Sequence, residues 1–295
     1  MITGTVALDT IQTPFGKVEK ALGGSAAYAS FAASFFSKPN ILSVVGNDFP
    51  KEYIELLKKR QINLDGLQIT GKTFHWEGFY EFDMNEAKTK KTELNSLADF
   101  RIKMPENYKE TKYVFLANID PDLQLETLNQ IKKPKFIVMD TMNFWISGKK
   151  KSLIDLIKKV DVLLLNDGEA RQLFNTASLV KASKEALKLG PKAVIIKKGE
   201  HGSLLFTKDK HFSAPGYPLE EIKDPTGCGD CFGGAFIGYL AKTGDLSESN
   251  MRKAVIYGSV VASYNAEDFS LNRLKTLTMS DIEKRYKEFK DIREF

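Results

Sequence analysis

The chain of 295 residues has only two cysteines and three histidines, and no apolar run long enough to cross a bilayer. A membrane-spanning helix needs about 18–20 consecutive apolar residues, so no membrane association is expected. The first residues also lack the basic-then-apolar pattern of an export signal, which makes a cytoplasmic protein the expectation. The two cysteines, Cys228 and Cys231, have the spacing of a redox pair or of half a zinc site. His75, His201 and His211 offer no paired spacing for the other half of such a site. A thioredoxin-type pair belongs early in a small domain, not near residue 230 of a large one. Both cysteines therefore read as small packing residues that keep a helix close to a sheet.

Other absences narrow the function further. The net charge of +5 is spread thinly, with lysine pairs at 58–59, 132–133 and 158–159, and no basic run is interleaved with aromatics. Nucleic acid is thus not an expected partner, whereas a small anionic ligand agrees with the balance. The Gly-x-Gly-x-x-Gly of a dinucleotide-binding turn is missing, since Phe232 stands where its third glycine would follow Gly227 and Gly229. No repeat, low-complexity tract or linker interrupts the chain, so residues 1–295 are expected to form a single domain.

What is present is the composition of an ordinary globular protein, 42% hydrophobic and 27% charged. Short apolar runs predict strands at 113–117, 136–139, 162–165 and 193–197. Amphipathic stretches predict helices at 123–130, 151–159, 169–174 and 182–189. This alternation predicts an α/β fold with a central, mostly parallel sheet and helices on both faces. Sites in such folds lie beyond the carboxyl ends of the strands, where Asn118, Asp140, Asn166 and Lys197 fall. Residues 67–97 break the rhythm. They are extended, and rich in threonine and in aromatics such as Phe74, Trp76, Phe79 and Phe82, which predicts a small β-structure serving as a lid or a dimer surface, or else an edge hairpin. The lid is expected to draw on residues 10–22 and 66–100.

The most informative stretch is Asp224-Pro-Thr-Gly-Cys-Gly-Asp-Cys-Phe-Gly-Gly234. A helix predicted from Cys231 follows two glycines, with Asp230 in its first turn. Backbone N–H groups turned inward by the glycines and the positive end of the helix make an anion cradle. A resident phosphate would repel a carboxylate there, so Asp230 reads better as a base that takes a proton from an incoming hydroxyl. Taken alone, the stretch is equally an ordinary helix start with an acidic first turn.

Four further motifs accompany it: Gly4–Asp9 ending the first strand on a carboxylate, Leu22-Gly-Gly-Ser-Ala-Ala-Tyr28 followed by Val44-Val-Gly-Asn-Asp48, Asn166-Asp-Gly-Glu169, and Lys197-Lys-Gly-Glu-His-Gly202. With these in order over nearly its full length, the chain resembles the PfkB, or ribokinase-like, family of carbohydrate and nucleoside kinases. That family's Asp-Thr-x-Gly-Ala-Gly-Asp corresponds to Asp224–Asp230 here. The resemblance implies a ribokinase-like fold and an ATP- and Mg²⁺-dependent transfer of the γ-phosphoryl group to a hydroxyl of a sugar or nucleoside. It implies Asp230 as the base, with Gly227, Cys228 and Gly229 supplying N–H groups to the phosphoryl group. Asn166 and Glu169 would hold hydrated Mg²⁺. Lys197, Gly199, Gly202, Thr226 and Asn166 would lie beside the nucleotide, and Asp9, Gly23, Gly24 and Asn118 on the acceptor side. Residues 254–264 and 265–270 would flank the adenine. A monovalent-cation requirement and a homodimer formed through the lid are further family expectations.

Two departures bear on the acceptor. Gly23-Gly-Ser-Ala-Ala-Tyr28 replaces the Gly-Gly-Lys-Gly-Ala-Asn of ribokinases, and Ala7 replaces an asparagine. Both remove polar groups that read a sugar. Ser25, Tyr28, Phe74 and Trp76 suit a flatter acceptor such as a nucleoside, on which base stacking contributes ~1–3 kcal/mol.

Overall fold

The computed structural model describes residues 1–294. Among these residues nine strands form one large sheet, and its order places non-consecutive strands side by side. From one edge inward it runs β13 (His211–Ala214), β12 (Ser203–Thr207), β11 (Ala193–Lys197), β10 (Val162–Asn166), β9 (Phe136–Met139) and β8 (Tyr113–Leu116). It continues with β1 (Ile2–Thr3), β4 (Asn40–Val45) and β5 (Asn63–Ile69). The strands from β11 to β5 pair in parallel, and β12 and β13 add an antiparallel edge.

The central strands are apolar up to their last residues because helices cover both faces. Alternate residues divide cleanly between two cores. Phe115, Val138, Leu164 and Ile195 face one. Val114, Ile137, Leu163 and Val194 face the other. The first core is closed by α1 (Ser25–Ala33), α2 (Lys51–Lys59), α8 (Cys228–Thr243), α9 (Glu248–Asn265), α10 (Asn272–Thr276) and α11 (Met279–Asp291). The second is closed by α3 (Pro121–Asn129), α4 (Asn143–Gly148), α5 (Lys150–Ile157), α6 (Asp167–Phe174) and α7 (Leu179–Leu189). Among the described residues no helix is long and apolar enough to cross a membrane.

A second sheet of four strands has the order β3 (Gly16–Gly23), β2 (Ala7–Thr13), β6 (Phe74–Phe79) and β7 (Lys88–Glu93). Two expectations are corrected here. Asp9 does not end the first strand of the large sheet. That strand stops at Thr3, and the chain enters the small sheet at Ala7, which puts Asp9 mid-strand. Residues 67–69 do not belong to the small sheet either, since they pair with Ser43–Val45 as the edge of the large one.

The cysteines also pack differently from the sequence reading. Cys231 Sγ lies 3.8 Å from the Tyr28 carbonyl on α1, and Cys228 Sγ lies 3.4 Å from the Ala262 carbonyl on α9. They space helix from helix. The close approach of α8 to the sheet occurs at Gly233, where a Cβ would stand 2.4 Å from the Phe115 ring.

Candidate active site

The carboxyl ends of β9, β10 and β11 bring a buried charge cluster together. Lys197 closes β11 beside Asn166, its register partner on β10. Its ammonium reaches across to Asp140 Oδ2, 2.6 Å away at the end of β9. Glu169 and Asp230 are close enough for their charges to act on the same ammonium. Burial alone would pull the Lys197 ammonium down, but Asp140, Glu169 and Asp230 together hold it above the ordinary lysine range. The carboxyls respond in the opposite sense. Burial, reinforced by the Asp140 charge, pushes Asp230 up to about 7 and Glu169 up to about 8.

Asn166 and Glu169 form a reciprocal capping box at the start of α6. The Asn166 N–H donates to Glu169 Oε2, and the Glu169 N–H donates to Asn166 Oδ1, both at 2.7 Å. The helix-cap reading and the ligand reading of this pair are therefore compatible: one oxygen of Glu169 is fixed by the cap, and the other accepts from no donor among the described residues. Three carboxylates facing one ammonium leave the cluster short of positive charge, which fits a divalent cation. Among the described residues no three such side chains converge tightly enough to chelate a metal directly.

The anion cradle lies beside this cluster. Helix α8 begins at Cys228, three residues earlier than the sequence suggests, with Gly227 as its N-cap at φ 76°. This is the left-handed region, and a Cβ at Gly227 would stand 2.4 Å from the Tyr28 ring, so both backbone and space demand glycine. Cys228 is not among the cradle's free donors, because its N–H points back to the Pro225 carbonyl at 3.1 Å. The N–H groups of Gly227, Gly229 and Asp230 have no partner among the described residues. The Asp230 amide thus takes the place expected of Cys228. Lys197 Nζ lies 3.1 Å from the position a Gly229 Cβ would occupy, which brings the ammonium against the cradle. Burial pushes the Cys228 thiol up to about 12 and the Cys231 thiol well above the ordinary range. Neither is a thiolate at neutral pH, which argues against redox chemistry by this pair.

The loop before α8 is tied down on three sides. Asp224 accepts from the Thr226 N–H at 2.9 Å and the Ser270 N–H at 3.1 Å, while Asn265 Nδ2 donates to the Thr226 carbonyl at 2.8 Å. Residues 265–270 therefore hold the cradle from behind. The Thr226 hydroxyl donates to the Tyr80 hydroxyl at 3.2 Å, which links the loop to the small sheet.

On the acceptor side, Asp9 is buried at the seam between the small sheet and α1. It accepts from the Gly24 N–H at 3.3 Å, and a Cβ at Gly23 would collide with its carboxylate. Burial, opposed in part by that hydrogen bond, raises Asp9 to about 7. Trp76 is the register partner of Asp9 across β2 and β6 and shares its face. Its ring occupies the space that a side chain at Gly78 would need, 2.2 Å from that Cβ position, so it lies flat on the strand. Its Nε1 donates to Thr89 Oγ1 at 3.1 Å and fixes the ring.

Asn118, Gly199 and Gly202 have other near neighbours. The Asn118 side chain is engaged by Trp145 Nε1 (3.0 Å) and by Met142 Sδ (3.2 Å), and only its backbone carbonyl reaches Ser25. Gly199 and Gly202, at φ 55° and 78°, shape the turn after β11. On one side the turn has Asn85 of the β6–β7 connection, whose Oδ1 stands 3.8 Å from the position a Gly199 Cβ would occupy. Sequence reasoning missed Tyr80 and Trp145. The aromatic pair Phe144–Trp145 directly after Asn143 was the available signal for the second; for Tyr80 there was none.

A parallel sheet with a glycine-capped helix start, a half-buried carboxylate in its first turn and a charge cluster at the strand ends suits the binding of an anion beside a base. Residues 8–275 match the pfkB family of carbohydrate kinases, and the chain belongs to that family. It is 30% identical over 254 residues to a cytidine kinase of Thermococcus kodakarensis, covering 84% of this chain and 90% of the relative. The crystal structure of the Methanocaldococcus jannaschii nucleoside kinase superposes with a TM-score of 0.78 at 24% identity, covering 97% of this chain and 98% of the other. A structure of an E. coli ribokinase II in complex with ATP and Mg²⁺ superposes with a TM-score of 0.77 at 18% identity, covering 97% and 98%. The protein is a phosphotransferase acting on a hydroxyl of a sugar or nucleoside.

Proposed function

We propose that the protein is a nucleoside kinase that transfers the γ-phosphoryl group of ATP to a hydroxyl of its acceptor, with Asp230 as the base. The observation that carries this reading is Asp230 itself. A carboxyl at about 7 in the first turn of a helix with free N–H groups is poised to gain a proton at working pH, beside a place where an anion would rest.

In this reading the acceptor hydroxyl gives its proton to the Asp230 carboxylate as its oxygen bonds to the γ-phosphorus, and the bond from that phosphorus to the β,γ-bridging oxygen breaks to release ADP. The N–H groups of Gly227, Gly229 and Asp230 meet the equatorial oxygens, where charge is highest in the transition state. The Lys197 ammonium, held by Asp140, adds a fixed positive charge at the same place. Glu169 and Asn166, with Asp140 nearby, would hold Mg²⁺, which when bound would neutralise phosphate charge. The Gly199–Gly202 turn and the end of α9 would border the nucleotide, and Asp9 would orient the acceptor through its hydroxyls. The small sheet would act as the lid, with the Tyr80–Thr226 hydrogen bond as its latch.

A nucleoside is favoured over a free sugar by Trp76. A fixed indole lying flat on the Asp9 face is a platform for a base, and stacking there contributes ~1–3 kcal/mol. The cytidine kinase and nucleoside kinase names among its relatives agree. The test is phosphate transfer from ATP to cytidine, adenosine, inosine, ribose and fructose. The expected outcome is a kcat/KM at least tenfold higher for one of the nucleosides than for either sugar. Preference for a free sugar would overturn the nucleoside assignment.

A further inference from the structure

Gln124 of α3 is fully buried and spends its amide on backbone. Its Nε2 stands 3.0 Å from each of three carbonyls, those of Leu116 and Ala117 at the end of β8 and of Asp140 at the end of β9. All three can only accept, so the nitrogen of the amide, not its oxygen, must face them. The Oε1 on the other side is buried without a partner. An orphaned acceptor is costly, so a side chain that carries one calls for a reason.

Its place in the fold supplies one. The last rung of the β8–β9 ladder is the Asp140 N–H on the Leu116 carbonyl, at 2.9 Å. Beyond it the two strands part for different sides of the site. β8 runs on to Asn118, whose carbonyl accepts from Ser25 Oγ at 2.7 Å, next to Gly24 and its bond to Asp9. β9 runs on to Asp140, whose Oδ1 accepts from the Thr141 N–H and whose Oδ2 holds the Lys197 ammonium. Three carbonyl dipoles converging on one point repel each other, and the Gln124 amide is what draws them together.

We infer that Gln124 is a positioning residue, which locks the acceptor side of the site to the Lys197–Asp140 pair at a fixed separation. It is buried away from both substrates and acts through Asp140. A misplacement of about 1 Å at the reacting centre can cost about 10²-fold in rate even when its origin is remote. The inference rests on the proposed role of the charge cluster in phosphoryl transfer.

The test is Gln124→Met in the full chain, which keeps length and bulk and removes the donor, assayed with whichever acceptor the panel identifies. Calorimetric titration with ATP counts the competent sites, so that turnover is expressed per site. The expected result is a kcat per site lowered at least tenfold, with the KM for ATP and for the acceptor within about threefold of wild type. In an Asp140→Asn background the same substitution is expected to cost about threefold at most, because the clamp acts through a group already lost. A loss of kcat per site smaller than tenfold, whatever the melting temperature, would show a merely structural role and overturn the inference. So would a loss larger than threefold in the Asp140→Asn background. Should the methionine variant not fold, Gln124→Asn takes its place, with an amide too short to hold all three carbonyls, and the same results support or overturn. Wild-type turnover in Asp140→Asn alone would overturn the reading of the charge cluster itself, and the inference with it.

Discussion

At the scale of single residues, the site is governed by burial acting on carboxyls. Asp9, Glu169 and Asp230 are all raised to about 7 or 8, and in each case desolvation is the leading cause. A base with a raised pKa is neutral below it and useless for taking a proton. The expected consequence is an acid limb in kcat/KM near pH 7, falling about tenfold per unit below pH ~6. Because the carboxyls interact, the limb belongs to the cluster and is expected between about pH 6 and 8. A limb near pH 4, where an ordinary carboxylate titrates, would contradict the assignment. Much of this cluster was legible in the sequence, since Asp140, Asn166 and Lys197 each close an apolar run. Their mutual contacts were not. The Lys197–Asp140 pair joins strands separated by β10, and no spacing along the chain reports which neighbour an ammonium will choose.

At the scale of elements, the start of α8 is the part that sequence described best and still misplaced slightly. The glycines and Asp230 marked a cradle, but the register of its free N–H groups depends on where the first turn closes. Closure at Cys228, through its bond to Pro225, removes one expected donor and frees the Asp230 amide. Gly227 is the hinge of that geometry. Gly227→Ala would place a methyl group into the Tyr28 ring at a positive φ, and left-handed strain alone costs on the order of 1–2 kcal/mol. The expected result is a loss of at least 10²-fold in kcat, from displaced N–H donors, alongside a lower melting temperature. Retention of wild-type kcat would show that the cradle does not touch the reacting phosphoryl group. The small sheet was harder to read. The switch from large to small sheet at Gly4–Val6 occurs without a proline or a polar turn, so Asp9 looked like a strand end. The role of Gly78 as the seat for the Trp76 ring appears only once β6 is built.

At the scale of the whole molecule, two sheets meet over one polar seam. The large sheet delivers the charge cluster, α8 delivers the cradle, and the small sheet brings Asp9, Trp76 and Tyr80 against it. Two apolar layers, from Phe115 and Leu164 on one side and Val114 and Leu163 on the other, hold this arrangement rigid. That stability offsets a destabilising site. Asp230 has a raised folded pKa, so its protonated form stabilises the fold below the unfolded value, and that contribution is lost as pH rises through about 7. At pH 8 a buried charge remains.

Asp230→Asn separates these effects and tests the central claim most directly. The variant keeps the shape of the first turn, removes the base and removes the buried charge. The expected result at pH 8 is a turnover reduced by 10³-fold or more with ATP binding within threefold of wild type. Alongside it, a gain in unfolding free energy on the order of 1–3 kcal/mol is expected. Turnover within tenfold of wild type would contradict the assignment of Asp230 as the base and, with it, the account of the site.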